Sequence, residues 1–595
     1  MCTTTIVGKD ASADGSVMIS HSDDGHIEND SSIVYVPRVP INADGDRAVY
    51  PTADALGEMP EYNTWLRPRI QKDDGPKAYR HEDFPRTIPI GSVPYKKIFE
   101  VLGETGRDTT YAYLDGSYGI SNEWGLMFGE CTNGAKASFK PVLDTRIFYA
   151  SELSRVALEN CKTARDAVKL IGFLIDEYGY WGTGETLPVG DPKEAWVIEM
   201  APVKMDYRGP VGGLWVAQRV PDDEFFIGAN EFRIRDIDPG ERNKTLMYSD
   251  HLFDVAKEWG WFTPSSHNPD FMDWLPTVSK GEYSHPYYSL RRVWRGLSLM
   301  APSRKLDPWA PAVDKDKEGL TRAYPFSVKP DKKITLSDVI ALHRDHYADT
   351  EFDLTKGMAA GPWGNPNRYL GPRDPSGDVG DPDVKLAGAW ERPIGMYYTN
   401  VTFVNQARSD LPYPINTVSW IALDAPAESV FVPLAVGPIP SMYESYNAAA
   451  FNMDGNAWQI YNLVAEYANI KYCYMIKDIN RAQRENERSG FDLVAKLRVG
   501  LAEIALRDPE EALKKFSEAL NRHALTVHAN WKRLFEQLVV HYNQGEVLDT
   551  SDPSKPVMTK VDYPESWLKE TNYFTGPTKY EKNIFPGPTK HKKNN

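Results

Sequence analysis

An α+β fold is what this chain predicts, and three features carry the prediction. The first third consists of short apolar runs separated by turn residues. Two long helical periodicities occupy the stretch from Trp458 to about Trp531. Between them, sheet and helix blocks alternate by segment rather than as regular βαβ units. With 595 residues, 41% hydrophobic and 12% aromatic, the chain has ample apolar material for a packed core, which argues against global disorder.

Taken in order, TTTIV (residues 3–7), the turn-prone DASADG and then SVMIS form the pattern of a hairpin entering a sheet. Cys2 therefore sits at the mouth of a strand. TYAYL and SYGISNEWGLMFGECT repeat the strand-turn-strand pattern, with residues 122–125 supplying the turn. From about Phe148 to Tyr178, Leu153, Val156, Leu158, Ala167, Leu170, Ile171 and Leu174 trace an amphipathic helical face with a break near Cys161. AWVIEM, GLWVAQRV and EFFIGAN then read as three strands, and MYYTNVTFVNQ, TVSWIAL and SVFVPLAV as a last strand group. The two closing helical patterns are separated at Pro509. Beyond Thr550 the composition turns to Pro, Lys and Tyr, and NYFTGPTKYEK is followed by NIFPGPTKHKK; two copies cannot build a solenoid, so an extended or disordered tail with a docking role for a partner is expected.

Charge and cysteine usage exclude several classes. With 83 acidic against 68 basic residues the net charge is −15, so no nucleic-acid surface is expected. No run approaches the roughly 18 apolar residues of a membrane helix, and no apolar signal core opens the chain, so a cytoplasmic protein without membrane association is expected. The four cysteines, Cys2, Cys131, Cys161 and Cys473, show no CxxC spacing; neither a disulfide framework nor a thiolate metal site is predicted.

Cys2 is the candidate for chemistry, and an incidental cysteine beside the start of the chain is the alternative its position alone favours. If Met1 is removed, one residue bears both a thiol nucleophile and a free amine able to act as its base. An α-amine with a pKa of about 8 and a thiol of about 8.5 exchange a proton at modest cost near neutrality. No separate histidine is then required.

The string CTTTIVGKDASADGSVMISHSDDG resembles the start of the C69 dipeptidases, in which a Cys opens a strand, an A-S-x-D-G-S turn follows and an acidic residue ends the next strand. SNEWGLMFGE, KEAWVIEM, WVAQRVPDDEFFIGANEFRI, YSLRRVWRGLSLMAPS, RDHYADTEFDLTKG, RPIGMYYTNVTFV and LDAPAESVFVPL extend the resemblance, in order, over roughly residues 2–440. It implies an N-terminal nucleophile hydrolase αββα sandwich that hydrolyses dipeptides with no metal or organic cofactor. The expected organisation is a hydrolase domain at 2–440, a helical extension at 441–550 and the repeat tail at 551–595; a homo-oligomer is compatible with the sequence.

By this resemblance Cys2 is the nucleophile and Asp24 the carboxylate that orients its amine, with Asp23 the alternative because strand alternation points one of the pair inward. Asn230 in GANEFRI falls where the superfamily places an oxyanion-stabilising amide. Arg292 in SLRRVWR resembles the arginine near the nucleophile; Arg291 and Arg295 compete for that assignment, and at least one of the three is expected to be an ordinary solvated charge. Two departures stand out. His21 occupies a position often Arg in relatives, as a candidate substrate-binding residue or a structural core histidine, and Thr132 replaces a superfamily oxyanion Asn, with Asn133 beside it.

Other motifs are read as structural. HRDH at 343–346 lacks the Glu and the histidine spacing of a zinc protease. The glycines of GYWGTGETLPVG are expected in a surface turn, and Cys131 in buried packing. The function expected is dipeptide hydrolysis through a thioester acyl-enzyme. Acyl-amide hydrolysis, as in the penicillin and bile-salt acylases of the superfamily, and a secernin-like interaction protein are the alternatives.

Overall fold

The computed structural model describes residues 2–25, 32–50, 89–203, 212–281, 288–310, 324–369, 391–444, 452–550, 552 and 554–572. Two large sheets organise them. One has seven strands in the order Ser327–Val328, Phe225–Gly228, Thr3–Val7, Val17–Asp24, Thr399–Ala407, Thr417–Leu423, Val432–Leu434. The other has nine; Gly184–Gly190, Ala195–Pro202 and Gly213–Val220 form its long antiparallel middle.

Side-chain alternation explains why both faces of each sheet are covered. In the strand Val17–Asp24, Val17 and Ile19 join Met127, Val197 and Val216 of the second sheet in one core cluster, while Met18 on the opposite face packs with Leu290, Val293 and Leu297 of the helix Leu290–Met300. The second sheet divides likewise. Ala195, Val197 and Ala201 face the first sheet, and Trp196, Ile198 and Met200 meet the helices Ala150–Asn160 and Ala164–Tyr178. The two sheets therefore share an inner core and carry helices on their outer faces, an α+β arrangement.

Local expectations are met where patterning is strong. The hairpin Thr3–Val7/Val17–Asp24 pairs Thr3 with Ser22 and Val7 with Met18. The turn after Gly119–Asn122 is closed by the Asn122 side chain, whose Oδ1 accepts from the backbone N–H of Trp124 and of Leu126 at 3.0 Å each. The predicted helical stretch breaks at Cys161, and Thr163 caps the second helix by accepting from the Asp166 N–H.

Three expectations need correction. GYWGTGETLPVG is not a surface turn: Gly184–Gly190 is a fully buried strand in the middle of the second sheet. Its small residues serve close packing, since a Cβ on Gly184 would lie 2.4 Å from Phe232 Cζ. The closing helical region is three helices, Ala457–Ala468, Tyr472–Arg507 and Pro509–His541, because a further break falls at residues 469–471. The chain beyond Thr550 is not uniformly extended: Val557–Lys560 pairs with Glu546–Asp549, and Glu565–Glu570 is helical. The tandem repeat lies outside the described residues apart from Asn572.

Asp424 follows the strand Thr417–Leu423 in left-handed backbone (φ 67°) and accepts from Asn462 at 3.2 Å. Burial pushes its carboxyl up to about 8. A raised folded-state pKa gives a stabilising contribution that is intact below the unfolded value of about 4 and is lost as pH rises through 8. Asp424→Asn keeps the shape and tolerates the backbone. It should raise stability relative to wild type by on the order of 5 kcal/mol at pH 8.5, with little change at pH 4. Thermal melts at the two pH values check this; an equal shift at both contradicts it.

Candidate active site

Cys2 precedes the central strand Thr3–Val7 and is 2% exposed. Its surroundings are supplied by segments distant in sequence. Arg292, fully buried on the helix Leu290–Met300, donates through Nη1 to the Cys2 carbonyl at 3.0 Å and to Thr3 Oγ1 at 2.9 Å. Through Nη2 it donates to Asn230 Oδ1 at 2.9 Å and to the Ala229 carbonyl at 3.2 Å. This guanidinium ties the Cys2 backbone to the end of the strand Phe225–Gly228.

Asn230 has a left-handed φ of 60°, which Asn tolerates better than most residues. Its Nδ2 donates to the Thr132 carbonyl at 2.7 Å. With Arg292 donating to Oδ1, the amide orientation is fixed, and the Nδ2 group has a second hydrogen to offer. Ser289 Oγ holds the Asn230 carbonyl at 3.0 Å.

Strand alternation divides the acidic end of Val17–Asp24. Asp24 Oδ2 is bound by Arg392, and Oδ1 accepts from Thr399 Oγ1 at 2.5 Å. Arg392 also donates to the hydroxyls of Tyr288 and, at 2.7 Å, Tyr398. His21 and Asp23 point to the other face. There Cys2 Sγ, a His21 ring nitrogen and an Asp23 carboxylate oxygen lie within 4.8 Å of one another, a spacing a metal ion could bridge. Of the two aspartates, Asp23 is thus the one whose carboxylate approaches the thiol.

Burial dominates the electrostatics. It pushes the Cys2 thiol well above its usual range, with Glu130 adding to the effect, and it raises the Asp23 carboxyl. Burial pulls His21 below its ordinary 6.5, so its imidazole is neutral at pH 7. Both its ring nitrogens lack a hydrogen-bond partner; Nε2 lies 3.7 Å from Glu130 Oε2, and the ring packs against Tyr118 and Phe403. His21 lines the site rather than filling a satisfied core position.

The other assignments separate cleanly. Arg291 pairs with Glu391 and stacks over Phe352, while Arg295 pairs with Asp345; neither is the ordinary solvated charge expected of one member of the trio. Carboxylates and aromatic rings around the helix take up the charge instead. Asn133 donates to Thr186 Oγ1 at 2.6 Å and accepts from Cys131 Sγ at 3.8 Å, so its side chain is committed there, whereas Thr132 Oγ1 donates to Glu130 Oε1 at 2.9 Å. His343 bonds Ser20 Oγ at 2.7 Å, and Cys131 is buried as expected.

Sequence reasoning missed Arg392, Glu130 and Glu185. Glu185 lies on the strand mistaken for a turn. Glu130 follows Gly129, where a Cβ would come within 2.4 Å of Thr4 Oγ1, so glycine lets this segment lie against the opening hairpin. A groove of about 900 Å³ between the helices Leu336–His343 and Tyr472–Arg507 contains none of these residues.

A buried thiol at a strand head is thus linked by one arginine to an amide and flanked by carboxyls. The Peptidase family C69 model matches residues 1–50 and 41–485, and the chain belongs to that family. It is 25% identical over 442 residues to a probable dipeptidase of Salmonella dublin, covering 73% of this chain and 81% of that protein. It is likewise 25% identical over 479 residues to dipeptidase A of Lactobacillus helveticus, covering 79% and 82% respectively. Probable dipeptidase B of Lactococcus lactis is 22% identical over 560 residues, 90% of this chain and 97% of that protein.

Proposed function

We propose that this protein is a cysteine dipeptidase with the N-terminal nucleophile hydrolase sandwich. The observation that carries the proposal is the set of Arg292 hydrogen bonds joining Cys2, Thr3, Ala229 and Asn230, which brings a nucleophile and an amide donor from remote segments to one place. The names of the family relatives supply the substrate class.

Cleavage of the Met1–Cys2 bond exposes the Cys2 amine. That amine takes the thiol proton as Sγ attacks the peptide carbonyl, which suits a thiol that burial keeps protonated. The tetrahedral oxyanion accepts from the free Nδ2 hydrogen of Asn230 and from a backbone N–H. Collapse expels the C-terminal amino acid, protonated by the ammonium, and leaves a thioester. Water, deprotonated by the same amine, releases the second amino acid. Asp24, anchored by Arg392 and Thr399, orients the amine. His21 contacts the substrate.

Four unpaired thiols agree with a reducing compartment, and among the described residues no helix is long and apolar enough to cross a membrane. Incubating protein processed to Cys2 with panels of dipeptides and acyl amides tests the reading. Free amino acids released from dipeptides are expected. Cleavage of acyl amides alone would favour an acylase, and absence of turnover with specific capture of a partner by the tail would favour an interaction protein.

A further inference from the structure

We propose that Glu130, Glu185 and Asp23 form the subsite that receives the substrate's α-ammonium group beside Cys2, an inference that rests on the dipeptidase reading above. All three carboxyls are buried, at 0%, 0% and 7% exposure. Glu130 Oε2, Glu185 Oε2 and Asp23 Oδ2 each lack a hydrogen-bond donor. Their companion oxygens are partly satisfied: Thr132 Oγ1 donates to Glu130 Oε1 at 2.9 Å and Tyr149 OH to Glu185 Oε1 at 3.0 Å. Among the described residues no Lys or Arg pairs with any of the three; His21 is the one basic side chain near them, at 3.7 Å from Glu130.

Buried carboxyls either take up a proton or bind a cation, and no Lys or Arg of the described residues supplies that cation here, so an entering ammonium suits the place. His21 is an independent sign of a vacant polar place, because it is 1% exposed, has no partner on either ring nitrogen and is aimed at Glu130. Covalent geometry sets the location. The ammonium nitrogen of a dipeptide is two bonds, about 2.5 Å, from the carbonyl carbon under attack. Its counter-charge must therefore lie beside the nucleophile, and the Asp23 carboxylate comes within 4.8 Å of Cys2 Sγ. An ammonium has three N–H donors for the three waiting oxygens.

Burial and the adjoining Glu130 hold the Glu185 carboxyl well above the usual range. The groups facing the pair are His21 and Asp23 from one strand, Cys2, Cys131, Tyr118, Tyr149 and Thr132.

Calorimetric titration of the processed full chain carrying Cys2→Ala, which cannot turn over substrate on the mechanism above, tests this with two ligands. Alanyl-alanine carries the ammonium; propionyl-alanine is the same skeleton without it. Alanyl-alanine is expected to bind at least about tenfold more tightly, as for a charge-assisted hydrogen-bond set. Glu130→Gln and Glu185→Gln should each reduce the preference about tenfold. Equal affinity for the two ligands, binding of neither, or a preference untouched by both substitutions overturns the subsite. The preference for alanyl-alanine over propionyl-alanine is read with both glutamates intact, so it decides the matter should the Gln variants not fold. Ammonium-dependent binding in Cys2-containing protein that leaves alanyl-alanine uncut would keep the subsite and remove the Cys2 mechanism; hydrolysis indifferent to both glutamates would do the reverse.

Discussion

Replacing Cys2 by alanine should abolish dipeptide hydrolysis, with kcat falling on the order of 10⁴-fold or more, as expected when a covalent nucleophile is lost. The fold should survive. Arg292 binds the Cys2 backbone carbonyl rather than its sulfur, so the bonds that fix the strand head remain, and deleting one buried Sγ costs about 1 kcal/mol. Amino-acid release measured beside a thermal melt separates the two effects. Substantial turnover by well-folded Cys2→Ala protein would show that another group attacks the substrate.

Asn230→Ala should lower kcat by on the order of 10²–10³ with a smaller change in KM, because an oxyanion donor acts on charge that develops only in the transition state. Asn230→Asp should be no better. It retains an acceptor for Arg292 but sets a carboxylate oxygen against the Thr132 carbonyl, where the native side chain donates at 2.7 Å. Alanine at a φ of 60° also strains the backbone by about 1 kcal/mol, so steady-state kinetics belong with a melt for each variant. Unchanged kcat in both would remove Asn230 from the site.

What was legible in the sequence was what is local. Alternation in SVMIS and turn residues in DASADG specify the opening hairpin, and helical periodicity marks both segments on either side of Cys161. Asp24, Asn230 and Arg292 came from a family resemblance. No periodicity distinguishes Arg292 from Arg291 and Arg295, because that choice depends on which residues face the helix in three dimensions. The strand Gly184–Gly190 escaped because two Gly and one Pro in seven residues read locally as a turn, and its strand character comes from neighbours on both sides. Glu185 escaped with it. The Asp24–Arg392 pair joins residues 368 apart, a separation that no window on the sequence spans.

The central claim is that the free amine of Cys2 is the base for its own thiol. The rate of dipeptide hydrolysis by a protein with an uncleavable-by-host peptide fused before Cys2, measured before and after that peptide is cut off immediately ahead of Cys2, tests it most directly. The fusion keeps the thiol but turns the base into a non-basic amide. The fusion should be nearly inactive and should regain turnover on cutting. Full turnover by the intact fusion would contradict it and move the base to the neutral imidazole of His21, whose ring nitrogen lies within 4.8 Å of the thiol.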